Sequence, residues 1–412
     1  MTRKTVSSIM LTLLSISMFT LTFNIQPAKA ESRTWIVDDD GPADFSTIQE
    51  AINHAAEGDT VFVHSGIYYE EVIVDKTLSL IGENKTTTIV DGGFMRSAFE
   101  ISANNVLLSG FKMQHTALAV KIKGRNNIVV DNYIQRSCFG GIWLEESSRG
   151  NIVSHNTLIL VDFPALGGFL SVGNTFSHNT IISVGTGIYL SCSDYNIVLG
   201  NSITSKQECG ILLSTSSFNV ITENTVWDSD LGIYLCWWAS GNSIHHNNFI
   251  NNLEQARLFI SVNRWHDDYP SGGNYWSDYI DVDEKSGPDQ DLPGSDGVWD
   301  HAYVIDDYNQ DNYPLIGPWI PTPTIPTTID ELKTEIEELG LEGEVDNQGI
   351  VTSLIAKLNV AQKLVDKGKI EEAKSILEED FIPQVQNITD VHITPEAADI
   401  LIESAEYIIS HL

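Results

Sequence analysis

Asn126-Asn127-Ile128-Val129-Val130-Asp131-Asn132-Tyr133-Ile134 decides the fold, because its pattern stands six times between Arg125 and Ile250. Each copy carries two asparagines five residues apart. The first falls at Asn127, Asn151, Asn174, Asn196, Asn219 and Asn242, the second at Asn132, Asn156, Asn179, Asn201, Asn224 and Asn247. Successive intervals are 24, 23, 22, 23 and 23 residues in both series. A second mark runs between them: Gly141-Ile142-Trp143-Leu144, Gly187-Ile188-Tyr189-Leu190, Gly210-Ile211-Leu212-Leu213 and Gly232-Ile233-Tyr234-Leu235, with Ala119-Val120-Lys121-Ile122 and Pro164-Ala165-Leu166 in the two other registers. A fixed period of this kind is the signature of a repeat architecture. Leucine-rich repeats share the period, so the content of each copy must choose between them. Here short β-branched runs such as Ile152-Val153-Ser154 alternate with small or polar residues, and no helical stripe lies between them. Three short strands and three turns per copy make one coil of a parallel β-helix, a mainly β solenoid. Asparagine suits the turns because it tolerates left-handed backbone and its amide can bond to the same residue one coil above.

Charge limits the class of partner. The 412 residues carry a formal charge of -33, which becomes -36 once Arg3, Lys4 and Lys29 leave with the leader described next. So acidic a surface repels nucleic acid and anionic membrane and favours solubility or cation binding.

The chain opens with Arg3 and Lys4, an apolar run from Ile9 to Phe23, and Ala28-Lys29-Ala30. This is the layout of a secretory signal, residues 1–30, cleaved after Ala30; an uncleaved anchor is the other reading. No second long apolar run follows, so the mature chain is expected to lack a transmembrane segment. It should be secreted or held at the cell surface, and periplasmic in a host with an outer membrane. Residues 35–37 read as a first strand and 44–52 as a short helix, with Ser46 and Gln49 as a capping box and Ile48, Ala51, Ile52 and Ala55 as its apolar stripe. Three strand-like runs follow at 60–63, 66–68 and 72–74, and the helix is expected to cover the first coil.

The stretch DFSTIQEAINHAAEGDTVFVHSGIYYEEVIVDKTLSLIGEN at 44–84, followed by the asparagine ladder, resembles the pectate-lyase-like right-handed parallel β-helix proteins. More narrowly it resembles the NosD-like group, whose repeats are shared with carbohydrate-binding and sugar-hydrolase modules. Gly273-Asn274-Tyr275-Trp276-Ser277-Asp278-Tyr279, continuing through Tyr303-Val304-Ile305-Asp306 to Asn312-Tyr313-Pro314-Leu315, resembles the closing segment of that group. The resemblance implies a right-handed solenoid of about ten coils over residues 31–316, with a cap helix at its start and an acidic closing segment. It also implies two kinds of role: carbohydrate handling, and maturation of a copper enzyme.

Aligned on the ladder, the position before the second asparagine reads Asp131, His155, His178, Gly200, Glu223 and His246, with His245 one place earlier in the last coil. Stacked strands lie about 4.8 Å apart, so His155 and His178 are expected to be neighbours. With Glu223 and His246 they are the candidates for catalytic or transition-metal work; a merely polar turn residue is the other reading. The position two after the repeat glycine reads Lys121, Trp143, Leu166, Tyr189, Leu212 and Tyr234. Its neighbours are aliphatic and face the core, so Trp143, Tyr189 and Tyr234 are expected to point outward on alternate coils. A line of exposed rings suits stacking on sugars; cover by a loop carrying Trp237 and Trp238 is the alternative.

A lyase or epimerase needs a base and a cation to stabilise developing negative charge. None of Lys121, Lys123, Arg125, Arg136, Arg149 and Lys206 lies in the histidine column. A glycosidase needs two facing carboxylates, and Asp131, Asp162, Asp194, Glu145, Glu146, Glu208 and Glu223 are scattered. The reading therefore leans to a non-catalytic protein that binds a polysaccharide or other cell-envelope glycan, with a polysaccharide lyase, epimerase or hydrolase as the enzymatic alternative. Asp281, Asp283, Asp289, Asp291, Asp296 and Asp300, with glycines between, suit calcium, although no bidentate Glu stands at the twelfth place of an EF-hand loop. A solvated acidic cap is the other reading, and no further cofactor is called for. Cys138, Cys192, Cys209 and Cys236 are expected as buried free thiols, since none falls in a neighbouring coil and column of another.

Pro318, Pro321, Pro323 and Pro326 make 317–328 a stiff tether. Beyond it four helices are expected, at 329–339, 351–367, 370–381 and 395–411, with Lys367-Gly368-Lys369 as a stop and Thr394-Pro395 as a start. The pattern Leu364-Val365-Asp366-Lys367-Gly368, Phe381-Ile382 and Ala397-Ala398-Asp399-Ile400-Leu401-Ile402 resembles the FIMAH domain, here residues 329–412. The resemblance brings no activity with it; attachment to a protein partner is the role its company suggests.

Overall fold

Each coil consists of short strands whose alternate side chains turn inward. Ile142–Leu144 shows the rule: Ile142 and Leu144 are buried and Trp143 between them is partly exposed. The computed structural model of the chain describes residues 32–183, 185–320, 326–342 and 344–412; the leader expected at 1–30 lies outside them. Among the described residues the strands stack into three parallel sheets of 10, 10 and 9 strands. We call them A, beginning with Thr34–Val37, B, beginning with Gly66–Tyr68, and C, beginning with Val72–Val74. The chain visits A, B and C in turn, and the right-handed solenoid runs for about eleven turns, one more than expected.

The core is made of stacked columns. On sheet A, Val129, Val153, Phe176, Val198, Ile221 and Ile244 stand in register. On sheet B the column is Ile134, Leu158, Ile181, Ile203, Val226 and Phe249. All are 1% exposed or less, and each such side chain contributes about 1.5–3 kcal/mol by leaving water.

The asparagines solve the problem that burial creates at the turns. Asn201 Oδ1 accepts from the backbone N (2.9 Å) and Nδ2 (3.0 Å) of Asn179, while Asn201 repeats both bonds onto Asn224 at 2.9 Å. The column at the A–B corner runs from Asn132 to Asn247, adds Asn274, and ends on Asp311, whose carboxylate accepts from Asn274 N at 2.6 Å. The column at the C–A corner runs from Asn127 to Asn242 and adds Asn263. Buried amides are thus paired coil to coil, the condition under which a buried polar network stabilises, except at the last rung of the C–A column, where Asn263 Nδ2 has no partner among the described residues.

At the first end the helix is Ile48–His54, and it buries Ile48, Ala51 and Ile52. Its cap is Thr47, accepting from Glu50 N, one residue beyond the expected Ser46. Gln49 is freed from capping and instead clasps both backbone groups of Ile73, while Glu70 accepts the open amides of Ile48 and Gln49 at 2.8 and 2.9 Å. At the last end rings close the stack: Trp276 lies flat between Phe249 (4.7 Å) and Tyr303 (4.3 Å), with Trp265 beside it.

A second, separate core belongs to the C-terminal helices. Among the described residues there are five α-helices rather than four: Ile329–Glu342, Gln348–Val365, Ile370–Ser375, Ile382–Ile388 and Pro395–His411. The stretch expected as one helix over 370–381 widens into a π-helical turn at Ile376–Phe381 and continues into Ile382–Ile388. Pro383 has no N–H to donate, and a locally wider ladder tolerates that gap. Thr394 and Pro395 start the last helix as expected, and Gly368 stops the second with a φ of +71°. The cysteines are free, but only Cys209 and Cys236 are buried; Cys138 and Cys192 are partly exposed, Cys192 because it occupies an outward left-handed turn.

Candidate carbohydrate-binding face

Strand register defines the face. The outward column of sheet C reads Ile73, Glu100, Lys121, Trp143, Gly167, Tyr189, Leu212, Tyr234 and Arg257. Gly167 stands where the sequence pointed to Leu166, which faces inward in register with Ile142 and Ile188. The slip arises because Ala165, not Pro164, takes the place of the repeat glycine. A Cβ on Gly167 would come within 3.0 Å of the Trp143 ring and 2.1 Å of the Tyr189 carbonyl. The indole therefore leans across the glycine toward Tyr189, with ring centroids 6.2 Å apart. Trp143, Tyr189 and Tyr234 are half-buried, not free-standing. Trp237 and Trp238 lie instead at the corner that follows sheet C, 50% and 63% exposed, where Trp237 packs edge-on against Phe259.

Toward the last coils the column enters a groove of about 650 Å³ lined by Glu208, Leu212, Asp230, Tyr234, Glu254 and Arg257. Arg257 forks onto Glu254, with Nε 3.0 Å from both carboxylate oxygens, and lies 6.0 Å from the Tyr234 ring centre. Glu208 accepts from the Thr186 hydroxyl at 2.5 Å. Farther up, Lys121 pairs with Glu145 at 2.8 Å, and Lys123 pairs with Glu100. The Lys123 ammonium holds the Glu100 carboxyl below its ordinary range, and its own pKa is raised in return.

The C–A corner carries a second aromatic surface that sequence reasoning missed. Asn126, Gly150, Gly173, Tyr195, Phe218 and Gly241 all take positive φ there. Tyr195 and Phe218 stack at 5.3 Å with planes 14° apart, and a Cβ on Gly241 would meet the Phe218 ring at 3.0 Å. The signal was available: rings occupy a left-handed turn position that other coils fill with Asn or Gly. Beside them a cavity of about 750 Å³ opens between Trp238 and Tyr308 over Ile260 and Val262. Ser191, Ser214 and Cys236 join this surface to the sheet C column.

The histidine column stands elsewhere. Asp131, His155, His178, Gly200, Glu223 and His246 share φ values of 52–62° at the A–B corner, across the solenoid from sheet C. His155 and His178 do come together, stacked at 5.1 Å with planes 17° apart, and a Cβ on Gly200 would lie 2.9 Å from the His178 ring. Glu223 follows beyond that glycine. His246 is covered: Trp319 stacks on it at 3.7 Å, its Nε2 lies 2.9 Å from the Ser271 carbonyl, and Trp319 exchanges two hydrogen bonds with Asn248. The start of the proline-rich tether is therefore docked on the solenoid, while 321–325 lie outside the described residues. Burial lowers the neighbouring His245 to about 4.

The acidic closing segment is spent on its own backbone. Asp283 accepts from Ser295 Oγ, Asp296 N and Gly297 N; Asp296 accepts from Val298 N and Gln290 Nε2; Asp300 accepts from Glu284 N and Lys285 N. Asp281 pairs with His301 at 2.7 Å, and Asp289 and Asp291 are exposed. Among the described residues, Asp38, Asp39 and Asp40 are the one group of three or more His, Cys, Asp or Glu with ligand atoms mutually within 4.8 Å. The six aspartates expected to hold calcium do not gather in that way, because a chain with few ladder bonds uses its carboxylates to satisfy amides.

Residues 168–280 match the model of a family described as periplasmic copper-binding protein (NosD), and residues 329–410 match the FIMAH domain. Among curated proteins no relative matches the chain. Among solved structures, an alginate lyase from Paenibacillus sp. str. FPU-7 is similar over 56% of this chain and 99% of its own, with 11% identity and a TM-score of 0.34. ORF18 of Geobacillus virus E2 is similar over 68% and 76%, at 11% and 0.34. A pectin methylesterase from carrot is similar over 56% and 88%, at 12% and 0.36. Likeness at this level says nothing of activity. Among the described residues no helix is long and apolar enough to cross a membrane.

Proposed function

We propose that this chain is an exported, non-catalytic protein that binds a polysaccharide or cell-envelope glycan along the outer face of sheet C. The observation that carries the reading is the unbroken column Trp143, Gly167, Tyr189, Leu212, Tyr234 leading into the groove at Arg257. Rings already held by their neighbours lose little freedom when a sugar stacks on them, which favours binding. The leader at 1–30 supports export, and the helical domain at 329–412 is read as the module that engages a protein partner. Calcium is not required by this reading.

Catalysis is the less supported reading. His155, His178 and Glu223 stand across the solenoid from the groove, and His246 lies under Trp319. A copper role is the other reading, raised by the NosD match; His155 and His178, with rings stacked at 5.1 Å, are its candidate ligands, and among the described residues they are not part of a three-ligand group.

The test is a polysaccharide array with the mature chain, run with calcium and with chelator, scoring both retention and release of reducing or unsaturated ends. Binding without product is expected, with Trp143→Ala plus Tyr189→Ala weakening it about tenfold or more. Release of product would sink the non-catalytic reading. Undiminished binding by the double variant would move the site away from sheet C.

A further inference from the structure

The face that carries the aromatic column has its charges arranged in pairs. Its cations are Lys121, Lys123 and Arg257, and each is already engaged. Lys121 is paired with Glu145, Lys123 with Glu100, and Arg257 with Glu254, whose carboxylate takes the Nε and Nη2 edge of the guanidinium and neutralises its charge. Two further carboxylates, Glu208 and Asp230, open onto the groove beside Tyr234. They lie on successive coils, since Cys209 and Leu231, which follow them, are register partners. Glu208 accepts from the Thr186 hydroxyl through Oε2, which leaves acceptor capacity on its carboxylate. Lys206, next in sequence to the groove residue Gln207, rests its Nζ on the Asp228 backbone carbonyl at 3.3 Å.

From this arrangement we infer that the face takes an uncharged, hydroxyl-rich glycan and rejects polyuronates; the inference rests on the binding reading above. A neutral sugar ring offers the two things the face can use. Its C–H faces stack on Trp143, Tyr189 and Tyr234, and its hydroxyls donate to carboxylates, which are strong acceptors. A uronate offers a second negative charge instead of a donor. To reach Arg257 it must bring its carboxylate beside Glu254, Glu208 and Asp230, and such like-charge contact is how a site discriminates against a wrong partner. The whole chain's charge of -33 adds long-range repulsion of the same sign, which salt screens.

The experiment measures affinity of the full mature chain for two sets of polymers: neutral glucans, mannans and xylans, and the polyuronates polygalacturonate and alginate. Each set is run at low salt and at roughly 0.5 M salt, where screening is nearly complete. At least one neutral polymer is expected to bind about tenfold or more tightly than either polyuronate. Glu208→Lys with Asp230→Lys, both at exposed positions, is expected to raise polyuronate binding about tenfold at low salt, with the gain lost at high salt, and to weaken the neutral polymer. The milder Glu208→Gln with Asp230→Asn guards against misfolding and is expected to relax the discrimination severalfold. Polyuronate binding as tight as neutral binding in the unaltered chain overturns the charge selection while leaving the glycan-binding reading intact. No binding by either set overturns both. Unchanged discrimination in both double variants moves the selection off Glu208 and Asp230 and overturns the inference.

Discussion

Two aspartates, one at each end of the solenoid, do the same work and ionise in opposite directions. Asp59 accepts from Arg33 N, Ala56 N and the Trp35 indole, each at 2.9 Å. Asp311 accepts from Asn274 N at 2.6 Å, Tyr313 N at 3.1 Å and the Trp276 indole at 3.0 Å. Burial pushes Asp59 up, but the two amides and the indole outweigh it and hold the carboxyl below its ordinary value. At Asp311 burial wins over a similar set of donors and pushes the pKa up to about 7. Both side chains are covered, with 4% and 0% of their surface exposed. The difference is depth. Asp59 sits in the first coil with little protein beyond it, whereas Asp311 lies beneath Trp276 and the closing segment. Hydrogen-bond count alone does not set the charge of a buried acid; the thickness of protein around it does.

That contrast is open to direct attack, most strongly at Asp311. Its folded pKa lies above its unfolded value, so its contribution is fully present below about pH 4 and is lost as pH rises through about 7. The shift corresponds to a loss on the order of 4 kcal/mol across that window. Subtracting the denaturation curve of Asp311→Asn from that of the unaltered chain should recover this slope; a flat difference from pH 4 to 8 would remove the distinction between the two ends. Asp59→Asn should act in the other sense. The pKa of Asp59 is depressed, so its support is present above the unfolded pKa and is lost as pH falls through the folded value. The variant should be about 1–2 kcal/mol less stable at pH 7 and converge on the unaltered chain in acid, as followed by urea melts at several pH values. The smallest effect belongs to Glu70, which caps the first-end helix. Glu70→Ala should cost about 1 kcal/mol and speed hydrogen exchange at Ile48 and Gln49, while the Asn274 amide at the far end keeps its protection.

Much of this molecule was legible because stacking forces each coil to repeat the previous one's solution. Asn201 must present an acceptor to Asn179 and donors to Asn224, so the same residue recurs and its spacing counts the coils. What depended on one coil alone was read less well. The outward column slipped at Gly167 because Ala165 replaces the marker glycine there, and the helix cap slipped from Ser46 to Thr47 because either can head an i to i+3 bond. The sheet C rings were found from their neighbours, but their tilt over Gly167 depends on a contact between coils that spacing does not encode. Trp319 over His246 was beyond reach, since 73 residues separate them and no repeat links the two. The acids of the closing segment were ambiguous for a related reason. Carboxylates that cap amides and carboxylates that hold calcium have the same composition, and the amide bonds of Asp283, Asp296 and Asp300 became visible only in the fold.

The asparagine ladder also bears on how such a chain changes length over generations. Each interior rung receives from one side what it gives to the other, so a whole coil can be gained or lost by duplication or deletion and the junction it leaves is chemically identical to the one it replaced. Only the ends differ: Asn132 accepts from Phe111 N at the first, and at the last Asp311 accepts from Asn274 and passes the pattern no farther. A lineage could lengthen the sheet C track to suit a longer ligand while keeping one start, one stop and a run of interchangeable middles.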